Sequence, residues 1–223
     1  MAAPITKLTP TSLSALLCAR ICHDLISPVG ALGTAIEILD DPDNVEMHED
    51  ALNLVRMSSR QASAKLKFLR LAFGASGSAP GVIPTADVTQ LSNDMFADSK
   101  PDLVWNIDSD GIDKDRARIL LNLIMLAVQA APRGGTVTIS RHGQTDGAEF
   151  VLVSEGPKVR LNPAVEKAIS GKAPEDGFDG RSIQPLYASL LTRDIGGTIA
   201  ASADETDQGF LITFKANFPA AQA

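Results

Sequence analysis

The residues most able to do chemistry lie close together near the start of the chain, where Asp24 directly follows His23 and Pro28 comes five residues after the histidine. Apolar residues around them recur at helical spacing. On a helical wheel at about 100° per residue, these apolar residues share one face and His23 lies on roughly the opposite one. The apolar set is Ile21, Leu25, Leu32, Ile36 and Leu39. A helix that presents one imidazole to water, with a proline-induced bend below it, indicates a phosphoacceptor helix.

Composition limits the class of protein. The chain has 223 residues, of which 44% are hydrophobic and 21% charged, as expected for a soluble globular protein with one large or two small domains. A net charge of −7 argues against binding to nucleic acid, which requires a basic surface. We find no run of about 20 apolar residues, and no basic stretch followed by an apolar one at the N-terminus. We therefore expect a cytoplasmic protein.

The two cysteines, Cys18 and Cys22, lie one helical turn apart. This spacing indicates reduced thiols rather than a disulfide, as in a reducing compartment. Together with His23 they would supply three metal ligands from one helix, but the sequence offers no fourth ligand nearby. We expect packed thiols, and neither a metal nor a cofactor on this chain.

Helix signals divide the first part of the chain into a hairpin. Thr9 and Pro10 predict an N-cap and first helical residue, and the helix extends to about Asp40. Residues 41–44 predict a turn, and a second helix follows over residues 46–74. Its apolar seam keeps a spacing of three and four residues, which is typical of a coiled coil. The seam comprises Leu52, Val55, Ser59, Ala62, Leu66, Leu69 and Phe73. A hairpin cannot cover such a seam by itself, so residues 1–75 are predicted to dimerise into a four-helix bundle.

A second domain follows a linker that is rich in glycine, serine and proline. The linker covers residues 74–85 and the second domain residues 86–223. Patterns in this domain predict helices near residues 87–97, 113–130 and 184–194, and strands near residues 103–107, 136–141, 150–154, 198–203 and 210–215. Helices on one face of a mixed or antiparallel sheet suit this order, which predicts the α+β class with a C-terminal sandwich.

Several segments resemble those of one family. Residues 23–28, His-Asp-Leu-Ile-Ser-Pro, are similar to the H-box of sensor histidine kinases. Residues 119–127 and 132–139 resemble the N-box helix and the strand after it. Residues 154–159 stand where the first glycine box belongs, and residues 195–199 resemble the turn and strand after the last helix. The segments follow the family's order over nearly the whole chain, which implies a histidine-kinase-like fold.

The differences from that family concern the nucleotide. Leu126 replaces a second asparagine that holds magnesium in the kinases, and leucine has no oxygen to offer a hard cation. Ser154 replaces the aspartate that reads adenine, and Lys158 replaces a glycine. Residues 182–185 are too bulky for a phosphate-binding run of free amides. The resemblance therefore implies a degenerate kinase core that keeps the fold and does not bind ATP.

A kinase core without nucleotide is similar to the dimeric histidine phosphotransferases of bacterial cell-cycle control. This resemblance implies that His23 accepts a phosphoryl group from a receiver-domain aspartate and passes it to another receiver. Asp24 would orient the imidazole, and magnesium would be held by the receiver. The partners it implies are the receiver of a CckA-like hybrid histidine kinase and the CtrA-like and CpdR-like response regulators. Two alternatives stay open: a pseudokinase-like dimeric scaffold that binds response regulators, with His23 structural, and a weakly active histidine kinase.

Two surfaces are candidates for partner binding. Small residues at Ser27, Gly30, Ala31 and Thr34 form a strip below His23, where another helix could approach closely. Basic residues at Arg56, Arg60 and Lys67 form a stripe beside the seam of the second helix, suited either to an acidic receiver pocket or to solvent. We also predict a partner contact at Arg20. His48 and His142 are interpreted as surface residues.

Overall fold

A computed structural model describes residues 8–74, 81–143, 148–206 and 209–219. The chain is an α+β protein, as predicted. Two long N-terminal helices form a hairpin, and a C-terminal domain places helices on one face of a five-stranded sheet.

The hairpin begins with helix α1, Pro10–Asp40, whose N-cap Thr9 accepts a hydrogen bond from the amide of Ser12 at 3.1 Å. The helix continues without a break through Pro28, which is buried, so a bend at that proline stays a prediction. A 3₁₀ helix at Pro42–Met47 forms the turn, and helix α2 spans His48–Phe73.

The buried face of α1 differs from the prediction. Its most buried residues are Arg20, Pro28 and Ala35, whereas Ile36, predicted to be buried, is 52% exposed. The apolar wheel was centred wrongly because α1 packs against two neighbours, α2 and helix α6 (Ile183–Asp194) of the C-terminal domain. The face of α1 between these neighbours includes Arg20, and a wheel built on apolar residues alone leaves out a charged one.

The C-terminal sheet has the strand order β2-β4-β5-β7-β6. Strand β2 runs parallel to β4, and the other neighbours are antiparallel. The strands are β2 Pro101–Asn106, β4 Gly135–His142, β5 Glu149–Glu155, β6 Thr198–Thr206 and β7 Gly209–Asn217. The remaining helices are α3 Thr85–Met95, α4 Lys114–Ala130 and α5 Pro163–Ile169. The predicted helices and strands of this domain are all present, and α5 is an addition.

The predicted linker, residues 74–85, extends too far towards the C-terminus. Val82–Pro84 form strand β1, which pairs antiparallel with β3, Gly111–Asp113. The C-terminal domain therefore includes these residues instead of starting at residue 86. A three-residue strand that pairs with a partner far along the chain carries no periodic signal. The rest of the predicted linker, residues 75–80, lies outside the described residues.

The core joins the two parts of the chain. Helix α4 lies at its centre, with residues 119–127 buried, and the inner face of the sheet packs on it. Phe68, Leu69 and Ala72 from the last turns of α2 belong to the same buried cluster. Leu69 is thus not available to a dimer seam, because the chain's own core covers it.

Among the described residues, α1 is long and apolar enough to cross a membrane by length and composition alone, with a mean hydropathy of 1.4 over its most apolar 18 residues. In the fold this helix packs against α2 and α6. A core-packing helix passes the same test, so this property does not identify a membrane protein.

Candidate functional site

His23 lies near the middle of α1, with its side chain 66% exposed. The helical wheel had placed the imidazole away from the buried face, and the structure agrees. Because little of the ring is covered, its orientation depends on the polar side chains around it.

Asp24 provides the contact that orients the ring. Its Oδ1 lies 3.2 Å from Nδ1 of His23, although consecutive residues on a helix point about 100° apart. The carboxylate turns back towards the ring to make this contact. An ionised carboxylate only accepts hydrogen bonds, so a neutral imidazole bound to it carries its proton on Nδ1 and leaves the lone pair on Nε2. The arrangement prepares Nε2 as a nucleophile.

Arg20 holds the other oxygen of the same carboxylate. Its Nε donates to Oδ2 of Asp24 at 2.9 Å. Arg20 is only 7% exposed. Our prediction that it contacts a partner therefore does not fit its position, because its guanidinium is enclosed by the fold and engaged by Asp24.

A cavity of about 520 Å³ lies between α1 and the C-terminal domain and includes His23 in its wall. Leu126 and Val165 line its apolar side, and Arg160 and Arg181 are part of its rim. We call it the His23 cavity. The sequence reasoning missed the two rim arginines, because they lie in loops far from His23 along the chain and follow no periodic pattern.

The loop that leads into α6 is fixed by Asp179. The carboxylate accepts hydrogen bonds from the Ser182 hydroxyl at 2.6 Å and from the backbone amides of Ser182 and Arg181 at 2.7 and 3.0 Å. The bonds from Ser182 hold the pKa of Asp179 below its ordinary value, because they favour the ionised form. This part of the cavity rim therefore has a defined shape.

The polar side chains at the kinase-like positions of the C-terminal domain are engaged inside the protein. Asn122 is fully buried, and its Nδ2 donates to the carbonyls of Ala72 and Arg118 at 3.0 and 2.9 Å. Gln184 donates to Oδ1 of Asn122 at 3.1 Å. The hydroxyl of Ser154, also buried, donates to the Ala127 carbonyl at 2.8 Å. The side-chain donors and acceptor of Asn122 are thus all paired, whereas Oε1 of Gln184 is buried without a hydrogen-bond partner among the described residues.

Lys158 stands at the position of a glycine-box glycine and has a φ of +63°, in the left-handed region that favours glycine. Leu126, at the position of the kinase magnesium ligand, is buried beside the His23 cavity.

Tyr187 adds a second bond between the C-terminal domain and α2. Its hydroxyl lies 3.4 Å from the carbonyl of Phe73 and accepts a bond from Nη2 of Arg118 at 2.6 Å. Burial raises the pKa of Tyr187, against the opposing effect of the Arg118 charge. Asn122 and Tyr187 therefore satisfy carbonyls in the last turn of α2, where intrahelical partners run out. We call these two residues the α2 anchor.

The other predicted partner residues are accessible. Ser27, Gly30 and Thr34 are exposed and Ala31 is half-buried. Among the basic residues, Arg56, Arg60 and Lys67 are exposed. Arg60 and Lys67 line a groove of about 460 Å³ whose lining also includes Asp94 and Asp98, so acidic groups lie near the basic stripe.

The remaining candidate residues are placed as follows. His142 is exposed, whereas His48, interpreted as a surface residue, is half-buried with its Nε2 enclosed. Cys18 and Cys22 are free and exposed rather than packed, which corrects that expectation. Within the described ranges, no group of three or more histidine, cysteine or acidic side chains is placed to hold a metal.

The fold and the site define an α+β protein whose N-terminal helical hairpin carries an exposed histidine oriented by a neighbouring carboxylate. Comparison with known proteins narrows this class. The model of the histidine phosphotransferase C-terminal domain matches residues 85–207. This chain belongs to the histidine phosphotransferase family.

Individual relatives agree over most of the chain. The protein phosphotransferase ChpT of Brucella abortus (strain 2308) is 38% identical over 207 residues, which cover 93% of this chain and 97% of that protein. A bacterial phosphotransferase of known structure is 36% identical, with a TM-score of 0.82 over 96% of this chain and 100% of that one. The family predicted from the H-box and the degenerate boxes is confirmed.

Proposed function

We propose that this protein relays a phosphoryl group between receiver-domain aspartates, with His23 as the phosphorylated residue. The observation that carries the proposal is the exposed imidazole whose Nδ1 faces Asp24 while its Nε2 is left free. A phosphoacceptor must meet a group on another protein, so its nucleophilic nitrogen has to be both accessible and deprotonated.

The phosphoryl group passes through His23 in two displacement steps. The Nε2 lone pair attacks phosphorus of the receiver's aspartyl phosphate. A nitrogen–phosphorus bond forms as the phosphorus–oxygen bond to the aspartate breaks, and the carboxylate leaves with the electron pair. Asp24 stabilises the positive charge that develops on the imidazole through its bond to Nδ1. A second receiver aspartate then attacks the same phosphorus, and Nε2 leaves as a neutral imidazole nitrogen.

The C-terminal domain supports a relay rather than a kinase. The side chains of Asn122 and Ser154 are buried and hydrogen-bonded to backbone carbonyls, so they are not free to bind a nucleotide. Leu126 has no oxygen with which to bind magnesium. We infer that the phosphoryl group and the magnesium ion both arrive with the receiver, and that this chain holds neither ATP nor its own metal.

We infer that receivers dock beside His23, on the strip of Ser27, Gly30, Ala31 and Thr34. The exposure of three of these small side chains supports a close helix–helix approach. The groove beside Arg60 and Lys67 would attract the acidic phosphorylation site of a receiver. Receivers of the CckA, CtrA and CpdR types are the partners that the family resemblance implies, in a cytoplasmic cell-cycle phosphorelay.

The hairpin is also the proposed dimer surface. Of the eleven exposed large hydrophobic residues among those described, eight lie in α1, α2 or the turn between them. They are Ile26, Val29, Ile36, Val45, Met47, Leu52, Met57 and Leu66. Such a concentration of exposed apolar area marks an interaction surface, and a second copy of the hairpin would complete a four-helix bundle.

A labelling experiment tests the function. The protein is incubated with labelled ATP alone, and separately with a receiver already carrying labelled aspartyl phosphate. We expect label only in the second reaction, in an acid-labile form. Label from ATP alone would identify a histidine kinase. Stable binding of the receiver without labelling would identify a scaffold.

A further inference from the structure

The position of Arg20 suggests a role that differs from partner binding. It lies one helical turn before Asp24 and is one of the three buried residues of α1. A buried arginine is costly unless its charge is paired, and here its Nε donates to Oδ2 of Asp24 at 2.9 Å. The pair leaves Oδ1 of the same carboxylate to face His23.

The two oxygens of Asp24 thus connect a buried cation to an exposed nucleophile. The side chain of Asp24 is 13% exposed and that of His23 is 66% exposed. Consecutive helical residues do not face each other, so the carboxylate meets the imidazole only in a restricted orientation. A charge-assisted bond from Arg20 favours that orientation, because it fixes one oxygen and thereby the direction of the other.

Arg20 is itself held by the rest of the chain. Arg20 lines a cavity of about 210 Å³ together with Lys65 of α2, Phe96 at the end of α3, and Met125 of α4. It also lines the His23 cavity. Its surroundings therefore come from both the hairpin and the C-terminal domain. The C-terminal domain therefore affects the orientation of His23 through its contacts with Arg20, which is bonded to Asp24.

We propose that Arg20 is a positioning residue for phosphoryl transfer: it orients Asp24, which in turn fixes the His23 tautomer with its proton on Nδ1. The proposal rests on the proposed function of His23. Arg20 does not touch the phosphoryl group in this role. It acts only through Asp24, and the C-terminal domain contributes to transfer by enclosing the arginine.

The first test requires no receiver. Nitrogen chemical shifts of ¹⁵N-labelled histidine distinguish the two neutral tautomers, and a His23→Gln sample assigns the His23 signal among the three histidines. In the wild-type protein, at a pH where the imidazole is neutral, we expect the proton on Nδ1. In Arg20→Met, which keeps much of the side-chain length without the charge, we expect the population to shift towards the Nε2–H form. A wild-type signal from Nε2–H would overturn the proposal even if the variant failed to fold.

The second test uses transfer rates from a phosphorylated receiver. Arg20→Met should slow transfer about tenfold, the order expected for loss of one charge-assisted bond. Arg20→Lys should recover part of this loss. The double variant Arg20→Met/Asp24→Asn should be no slower than Asp24→Asn alone, because both changes break the same connection. Lys215→Met, at an exposed position on β7, is the matched control and should transfer at the wild-type rate.

Two outcomes would contradict the role of Arg20 and leave the proposed function standing. One is normal transfer by a folded Arg20→Met. The other is a double variant whose losses multiply, which would show that Arg20 acts independently of Asp24. By contrast, labelling of a variant without His23 would contradict the proposed function itself.

Discussion

Two hydrogen-bond networks, one in α1 and one in the C-terminal domain, end in opposite environments. In α1 the network runs from Arg20 through Asp24 to the imidazole of His23, whose side chain is 66% exposed. In the C-terminal domain the network runs from Gln184 through Asn122 to the carbonyl of Ala72 inside the core. The first presents a polar group to solvent, whereas the second pairs its polar groups inside the protein.

The difference shows that two polar networks in one fold can serve different purposes, one at the surface and one in the core. A buried amide that has satisfied its donors and acceptor offers nothing to a ligand, yet its removal leaves unpaired groups that destabilise the core. Asn122 therefore has a structural reason to remain. His23 contributes little burial, so the fold itself does not require it.

The largest expected effect is at His23. We expect His23→Ala to abolish phosphoryl acceptance while the helical content, thermal midpoint and oligomeric state stay as in the wild type, because the side chain is mostly exposed. Transfer from a labelled receiver measures the first property, and circular dichroism and sedimentation measure the others. His142→Ala, at an exposed position on β4, is the control and should be labelled normally.

A bulky residue in the strip below His23 should come next. We expect Thr34→Trp to reduce transfer roughly a hundredfold by steric exclusion of the receiver, since Thr34 is exposed and an indole there costs little folding stability. The defect should not depend on ionic strength. Transfer at the normal rate would place the docking surface elsewhere on the molecule.

Leu66 and Leu69, three residues apart on α2, distinguish an effect on dimerisation from an effect on folding. Leu69 is 2% exposed within the chain and Leu66 is 56% exposed. Leu69→Asp should lower the free energy of unfolding by several kcal/mol, because it buries an unpaired carboxylate in the core. Leu66→Asp should leave the monomer folded and dissociate the dimer. Sedimentation that showed an unaltered dimer for Leu66→Asp would remove Leu66 from the self-association surface.

The α2 anchor predicts a moderate loss of stability without loss of chemistry. Asn122→Ala leaves the Ala72 carbonyl without its donor and removes the side-chain acceptor of Gln184, which keeps its bond to the backbone carbonyl of residue 122. This loss should cost about 2 kcal/mol. For a chain of this size the thermal midpoint should fall by roughly 4–8 °C. Asn106→Ala, at an exposed position on β2, should change it little. An equal change in both variants would mean that the buried bonds contribute nothing specific.

The smallest expected effect is electrostatic. Arg60→Glu should slow transfer a few-fold at low salt, and the defect should shrink at high salt as the charges are screened. Asp94 and Asp98 beside the same groove make a further negative charge there unfavourable for an acidic partner. Rates at two ionic strengths measure the effect. A defect that is the same at both would point to a structural role for Arg60.

Local pattern was sufficient for the long elements and for the exposure of His23. The cap at Thr9 and Pro10 begins α1 where it was predicted, and the exposure of His23 followed from counting residues around one helix. The order of H-box and degenerate boxes was sufficient for the family. These features depend on residues that are close together in sequence, where helical or strand periodicity fixes which side chains share a face.

Long-range packing decided the rest. Leu69 was predicted in the dimer seam, but it belongs to the buried core where α3 and α4 pack against α2. Arg20 was predicted to contact a partner, but residues of the C-terminal domain help to enclose it. Strand β1 exists only because β3, far along the chain, pairs with it. The sequence by itself determined the helices, the class and the exposed position of His23. Contacts between distant segments decide which surfaces stay exposed and which polar groups are hydrogen-bonded inside the protein. The periodicity of the sequence does not report such contacts.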